Sequence, residues 1–237
     1  DEVILPDPCF GMYNALVAMM GGRVVSVDTY PDFHLDPDRV ADAITPRTKL
    51  ILVNSPNNPT GAVAAPEELR AIAELASERN VALLSDEIYH DFCYDVPYTS
   101  PAEYNSRTIV VDGFSKSHGM PGWRLGFAHG PAAIIRELIK IQQYSFVCAP
   151  QPVQWAGATA LDVDISGHID AYRRKRDLVV EGLRDDYELV CPRGAFYAFP
   201  KAPRGTATEF CTRAIEEYGL LVVPGGISDS AVCSASA

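Results

Sequence analysis

The order of helix and strand signals in the first 130 residues is the feature that most restricts the fold. Short β-rich runs occur at residues 2–5, 23–27, 49–53, 81–85 and 108–111. Helical patterns fall between them, at residues 36–44 and 66–79. This alternation predicts an α/β fold, a three-layer arrangement of a mainly parallel sheet with helices on its faces. Such a sheet brings the carboxyl ends of its strands to one edge, where ligands bind.

The pattern changes after residue 130. Helices are predicted at residues 131–144, 151–161, 165–184 and 207–218, and strands at 187–191, 195–199 and 220–223. We therefore expect a large domain over residues 1–165 and a smaller α+β domain over residues 166–237, with the helix at 165–184 as the bridge. The first residues have the pattern of a strand already in progress.

Composition excludes some classes of function. Twenty Lys and Arg against 31 Asp and Glu give a formal charge of -11, which repels nucleic acid and anionic membranes. No apolar run has the length of a membrane span, and the six cysteines lie far apart, without the spacing of a metal site. We expect a cytoplasmic protein with reduced thiols and no metal.

Three polar clusters follow predicted strands. They are the Asn-rich segment at residues 54–61, the segment Ser85-Asp86-Glu87-Ile88-Tyr89, and the segment ending in Lys116. Asn58, Asp86 and Lys116 are 28 and 30 residues apart, which is about one βα unit each. The spacing predicts that these three side chains meet in one crevice.

Each cluster also has a purely structural interpretation. The Asn-Asn-Pro-Thr-Gly run is typical of a turn, and Asp86 is a suitable helix N-cap. Lys116 by itself is a weak signal, because most lysines are solvated surface charges. It is the combination of the three that favours a site.

The sequence GFSKSHGMPGWRLG at residues 113–126 resembles the cofactor-lysine signature of fold-type I pyridoxal-phosphate enzymes, in particular the class I/II aminotransferases. The similarity runs along the whole chain, through residues 6–10, 194–200 and 222–226. The resemblance implies the large domain of a pyridoxal-phosphate-dependent transferase, with pyridoxal 5′-phosphate as cofactor.

The resemblance also implies roles for individual residues. Lys116 would hold the cofactor as a Schiff base and later move a proton at the substrate Cα. Asp86 would keep the pyridine nitrogen protonated, and Asn58 and Tyr89 would hydrogen-bond the 3-oxygen of the ring. Lys116, Asp86 and Tyr89 form the implied catalytic set.

The remaining implied cofactor ligands surround the ring and its phosphate. Arg124 would bind the phosphate, Phe10 would stack on the ring face, and Ser115 would lie beside the cofactor lysine. Tyr197 is expected to be a core or wall residue.

Three departures from the family pattern stand out. No Gly/Ser/Thr-rich phosphate-binding turn precedes Glu2, and Gly113 stands where the family often has a serine, so phosphate binding would depend mainly on Arg124. After Gly226 the sequence has no arginine to bind a substrate carboxylate, and Ile227-Ser228 resembles the start of that motif.

The predicted function is transfer of an amino group between an amino acid and a 2-oxo acid by a ping-pong mechanism, in a homodimer. Two alternatives stay open at this point. One is a β-eliminating C–S lyase that uses the same lysine and aspartate. The other is a truncated relative without catalytic activity, which the missing segments motivate and the five intact polar residues oppose.

Overall fold

The computed structural model describes residues 1–225 and 233–236 of the chain. In chain order its helices are α1 Met12–Met19, α2 Pro37–Ala43, α3 Pro66–Glu78, α4 Ala132–Ser145, α5 Gln151–Ala160, α6 Ser166–Leu183 and α7 Ala207–Tyr218. Its strands are β1 Glu2–Asp7, β2 Arg23–Asp28, β3 Thr48–Asn54, β4 Ala82–Asp86, β5 Ile109–Gly113, β6 Gly126–His129, β7 Tyr197–Ala198, β8 Val223–Pro224 and β9 Cys233–Ser236. None of the helices in the described part of the chain has the length and apolarity needed to cross a bilayer.

Six strands form the main sheet in the order β2-β1-β3-β4-β5-β6. Strands β1 to β5 are parallel, and β6 pairs antiparallel with β5. The predicted, mainly parallel α/β sheet is therefore confirmed. The sequence patterns did not predict β6, a four-residue strand at one edge, or the short helix α1.

The main core lies between this sheet and helices α2 and α3. Strand and helix residues that are at most 4% exposed meet there, and they include Ile4, Ile51, Val53, Leu83, Leu69 and Ile72. Burying a side chain of this size stabilises the fold by roughly 1.5–3 kcal/mol. This packing fixes the register of β1, β3 and β4, and therefore the positions of the loops that follow these strands.

Local signals explain why the helices begin and end where they do. Asp36 caps α2 by accepting from the backbone N–H of Asp38 at 2.9 Å. Thr206 caps α7 by accepting from the N–H of Glu209 at 3.2 Å, while the Glu209 carboxylate accepts from the Thr206 N–H at 2.9 Å. Gly219, at φ 65°, ends α7 in the left-handed conformation that favours glycine.

The C-terminal part matches its predicted helices better than its predicted strands. Helix α7 has the predicted bounds, but the strand predicted at 187–191 is wrong, because those residues have no ladder partner. The strand predicted at 195–199 shortens to the two-residue β7, and of the strand predicted at 220–223 only Val223 lies in β8. Both β7 and β8 pair with β9. The boundary at residue 165 between two domains stays a prediction.

The segment 193–195 binds this C-terminal part to the main sheet. The backbone N–H groups of Arg193 and Gly194 donate to the carbonyl of Gly61, at 3.0 and 2.9 Å. The N–H of Ala195 donates to the carbonyl of Phe92 at 2.9 Å. The segment is thus hydrogen-bonded to both loops that carry the predicted site residues.

Gly194 allows this close approach, and its replacement tests it. A Cβ built at Gly194 would lie 2.7 Å from the carbonyl oxygen of Phe92 and 2.7 Å from a ring carbon of Pro56. We expect Gly194→Ala to lower the free energy of unfolding by about 1–3 kcal/mol, measured by urea denaturation.

Gly182→Ala is the matched control, because a Cβ at Gly182 in helix α6 would meet no atom within 4 Å. It should leave stability unchanged or raise it by up to about 1 kcal/mol. Equal effects of the two substitutions would contradict the tight approach at Gly194.

Candidate functional site

Strands β3, β4 and β5 end side by side at one edge of the main sheet. Asn54, the last residue of β3, pairs with Asp86, the last residue of β4, and Asp86 pairs with Val111 of β5. The Glu87 N–H continues this alignment by donating to the Val111 carbonyl at 2.9 Å. The three polar clusters therefore meet at this edge, as their spacing predicts.

Asp86 lies at the centre of this edge and is largely shielded from water. Its Oδ2 accepts a hydrogen bond from the Tyr13 hydroxyl at 2.6 Å, and its Oδ1 accepts from the Ile88 N–H at 3.2 Å. Burial raises the pKa of the Asp86 carboxyl, and the two hydrogen bonds partly offset this rise by stabilising the carboxylate. A cation placed beside Asp86 would stabilise the ionised carboxylate and offset the effect of burial.

Asn54 connects the first two clusters. Its side-chain amide donates to the Asp86 carbonyl at 3.0 Å, and its Oδ1 accepts from the Asn58 N–H at 2.8 Å. Asn54 is 6% exposed, and one buried side chain thus fixes the loop of Asn58 relative to Asp86.

Tyr89 follows Asp86 by one turn and is 3% exposed. Its hydroxyl is hydrogen-bonded to the Asn58 side chain and lies 2.5 Å from the Tyr197 hydroxyl. Burial is the main cause that raises the pKa of Tyr89 well above its usual range, so the phenol keeps its proton at neutral pH.

Lys116 follows β5 and is half-buried beside these groups. Its Nζ lies 5.7 Å from the centroid of the Tyr89 ring and 5.6 Å from that of Phe196. Among the described residues no carboxylate pairs with this ammonium and no hydrogen bond satisfies it. The chain's other four lysines, Lys49, Lys140, Lys175 and Lys201, are all exposed.

Gly113 and Arg124 lie where the turn after β5 returns to the sheet. A Cβ at Gly113 would be 2.9 Å from the Leu125 carbonyl oxygen and 3.0 Å from the Gly126 Cα, so the close β5–β6 crossing favours glycine where the family often has serine. The Arg124 side chain is exposed and donates to the Pro121 carbonyl at 3.0 Å. Within the described chain no side-chain hydrogen bond or ion pair joins Arg124 to Asp86 or Lys116, and Ser115 directly precedes Lys116.

Phe10 reaches the site through Tyr13. The Phe10 ring is 42% exposed and lies edge to face with the Tyr13 ring, at 5.6 Å between centroids. Tyr13 in turn donates to Asp86. The predicted remnant of the carboxylate-binding motif, Ile227-Ser228, lies outside the described residues.

An ion pair supports the turn that carries Tyr89. His90 Nδ1 lies 3.1 Å from the Asp112 carboxylate, which raises the pKa of His90 to about 9 despite partial burial. His90 is therefore protonated at neutral pH and fastens the turn after β4 to strand β5.

The structure adds residues that sequence reasoning did not select. Tyr13, Asn54 and Tyr197 contact the predicted residues directly, and Phe196 lies beside Lys116. Asn54 opens the Asn-rich cluster at residues 54–61, and Phe196 and Tyr197 lie in the segment 194–200 that carries the family resemblance, so the sequence offered a signal for these three. Tyr13 lies in helix α1, which the sequence patterns did not predict.

The chemistry of the assembled side chains fits a pyridine aldehyde that carries an oxygen on its ring. An unpaired amine, a desolvated carboxylate and a phenol–amide pair lie at one edge, and these suit an aldehyde carbon, a ring cation and a ring oxygen respectively. In the described part of the chain, no cluster of His, Cys, Asp or Glu is arranged to hold a metal ion.

Known proteins with similar sequences are aminotransferases. The putative aminotransferase YugH of Bacillus subtilis is 42% identical over 96% of this chain, and the probable aspartate aminotransferase of Methanocaldococcus jannaschii is 36% identical over 95%. The chain spans 62% of the length of each of these relatives.

Solved structures agree with the sequence comparison. Aspartate aminotransferase from Thermus thermophilus with maleate superposes with a TM-score of 0.95 at 38% identity, over 100% of this chain and 65% of its own. An aromatic aminotransferase from Pyrococcus horikoshii gives a TM-score of 0.94 at 35% identity, over 100% of this chain and 68% of its own. The family described as aminotransferase class I and II matches residues 1–230, and the chain belongs to that family.

Proposed function

We propose that this protein is a pyridoxal-phosphate-dependent aminotransferase that moves an amino group from an amino acid to a 2-oxo acid by a ping-pong mechanism. The observation that carries the proposal is the half-buried, unpaired ammonium of Lys116, held against the Tyr89 ring at the edge where Asp86 is desolvated. The similar proteins named above are aminotransferases, and this favours transfer over the lyase alternative.

Pyridoxal phosphate, when bound, supplies an aldehyde that takes up an amino group and a ring that withdraws electrons from the substrate Cα. Lys116 Nζ would hold the aldehyde carbon, and as a free amine it would carry the proton from Cα. Because no carboxylate of the described residues pairs with this nitrogen, it is available for both tasks.

Asp86 and its neighbours hold the ring in its reactive state. The Asp86 carboxylate would keep a proton on the ring nitrogen, because its own burial makes a facing cation favourable. Asn58 and Tyr89 would donate to the 3-oxygen and orient the ring. Phe10 would stack on the ring, Arg124 would bind the phosphate, and Ser115 would bind the cofactor beside Lys116.

The protein's assembly and location are part of the proposal. Apolar side chains on α1 and α4 are strongly exposed, among them Met19 at 73% and Ile141 at 65%, and this supports burial against a second subunit in a homodimer. Cys9, Cys93, Cys148 and Cys191 are free thiols, which supports a reducing cytoplasmic location.

A single half-reaction tests the proposed activity. The cofactor-loaded protein, mixed with one amino acid and no 2-oxo acid, should release about one equivalent of 2-oxo acid per bound cofactor and no ammonia, because the nitrogen stays on the cofactor. Lys116→Ala should abolish this release, and Lys140→Ala, which changes an exposed lysine, should not. Continuous release of pyruvate and ammonia would instead establish the lyase.

Replacing the desolvated carboxylate should slow proton removal. Asp86→Asn keeps an acceptor for Tyr13 but no longer favours a protonated ring nitrogen, so we expect the rate of Cα–H exchange with deuterated water to fall roughly 10²–10³-fold.

Glu87→Gln is the matched control for Asp86→Asn. Glu87 is 7% exposed and binds the Ser100 hydroxyl at 2.6 Å, away from Lys116. It should change the exchange rate less than about threefold. Equal losses in the two variants would contradict the role given to Asp86.

Tyr13 is expected to act through Asp86. Tyr13→Phe removes the 2.6 Å hydrogen bond that stabilises the Asp86 carboxylate, so cofactor affinity should fall about tenfold, measured by equilibrium titration of the apoprotein. Tyr144→Phe, at a side chain that is 91% exposed, serves as the control. Unchanged affinity in Tyr13→Phe would show that Asp86 does not need this donor.

A further inference from the structure

Tyr197 lies on β7, in the C-terminal part of the chain, yet its hydroxyl is 2.5 Å from that of Tyr89. The two rings meet edge to face, with 5.6 Å between centroids and an interplanar angle of 80°. This contact joins the C-terminal part directly to the residue that we assign to the 3-oxygen of the cofactor.

The backbone before Tyr197 is held from several sides. The hydrogen bonds from residues 193–195 to the carbonyls of Gly61 and Phe92 fix the chain against both site loops. The Tyr94 hydroxyl donates to the carbonyl of Ala195, and Ala195 has φ 53°, in the left-handed region that an alanine rarely adopts. A strained conformation of this kind persists because the surrounding contacts determine it, so Tyr197 has a defined position.

In the hydrogen bond between the Tyr89 and Tyr197 hydroxyls, either one can be the donor. Burial raises the pKa of both Tyr89 and Tyr197, so both are protonated at neutral pH. A phenol has one proton to donate and two lone pairs to accept with. The Asn58 amide donates to the Tyr89 oxygen, which lowers the Tyr89 pKa. The bond between the two hydroxyls raises the pKa of Tyr89 and lowers that of Tyr197, so Tyr89 is the donor of this bond in the protein without cofactor. A 3-oxygen that accepted the Tyr89 proton would leave Tyr197 as the donor.

We infer that Tyr197 is a positioning residue that donates its proton to the Tyr89 hydroxyl and thereby directs the Tyr89 proton to the 3-oxygen of the cofactor. This inference rests on the proposed function. When Asn58 and Tyr197 both donate hydrogen bonds to the Tyr89 oxygen, both of its lone pairs are occupied. The single proton of Tyr89 then points away from these two donors. Hydrogen bonds in such a chain also strengthen one another, which makes Tyr89 a better donor.

The other groups around the Tyr89 hydroxyl do not supply this function. Asp86, from β4, raises the pKa of Tyr89 by its charge, and Lys116, from the loop after β5, faces the Tyr89 ring at 5.7 Å. The Phe196 ring, from the C-terminal part, packs on Tyr89 at 5.3 Å and has no proton to donate. Tyr197 is the donor from the C-terminal part that this geometry provides.

The test measures a spectroscopic midpoint rather than turnover. The cofactor-loaded protein is titrated with pH while the absorbance band that depends on Lys116 is followed. A hydrogen bond donated to the 3-oxygen stabilises negative charge on that oxygen. When this hydrogen bond is weakened, the more negative oxygen attracts the proton on the cofactor-bound Lys116 nitrogen more strongly, and the nitrogen keeps its proton to higher pH. We expect Tyr197→Phe to raise the midpoint by roughly half a unit to one unit.

Two further variants make the result specific. In a Tyr89→Phe background, Tyr197→Phe should no longer move the midpoint, because Tyr197 acts through Tyr89. Tyr187→Phe removes a hydroxyl elsewhere in the C-terminal part and should leave the midpoint unchanged. Borohydride capture by each variant confirms that it is folded and loaded.

The outcomes separate the inference from the function on which it rests. An unshifted midpoint in Tyr197→Phe, or an equal shift in the Tyr89→Phe background, overturns the inference and leaves the proposed function standing. A wild-type protein with no Lys116-dependent band overturns the proposed function and this inference together.

Discussion

The parallel pairing of β3, β4 and β5 is the constraint on which the rest of the site depends. Because Asn54 and Asp86 end adjacent strands in register, the loops that follow must leave the sheet at the same edge. The Lys116 loop joins them because the Glu87 N–H bonds to the Val111 carbonyl and aligns β5 with β4. Packing of Leu69 and Ile72 beneath these strands fixes that register, since a slip of one residue would turn the buried faces outward.

The Asp86 carboxylate is the charge at this edge that burial disfavours, because a desolvated carboxylate is less stable there than in water. Bound pyridoxal phosphate would offer Asp86 a cation to face, and it would offer the half-buried Lys116 nitrogen a carbon to bind. The overall charge of -11 gives no such help to an anionic ligand, so local groups must provide it.

Much of the main sheet and the centre of the site could be predicted from sequence. Periodicity and turn residues located β1 to β5, α2 and α3, and spacing predicted that the loops of Asn58, Asp86 and Lys116 follow neighbouring strands. The strand predicted at 187–191 was wrong because an apolar alternation needs a ladder partner, which local sequence does not reveal. Tyr13, Asn54 and Tyr197 were not selected because their roles depend on contacts across 73, 32 and 108 residues of chain.

The central claim is that Lys116 is the residue that binds the cofactor aldehyde, and peptide mapping tests it most directly. The protein is incubated with pyridoxal phosphate, reduced with borohydride and digested, and the modified lysine is identified by mass spectrometry. The account predicts the modification on Lys116, with the four exposed lysines unmodified at stoichiometric cofactor. Modification spread over the exposed lysines, or persisting undiminished in Lys116→Ala, would contradict it.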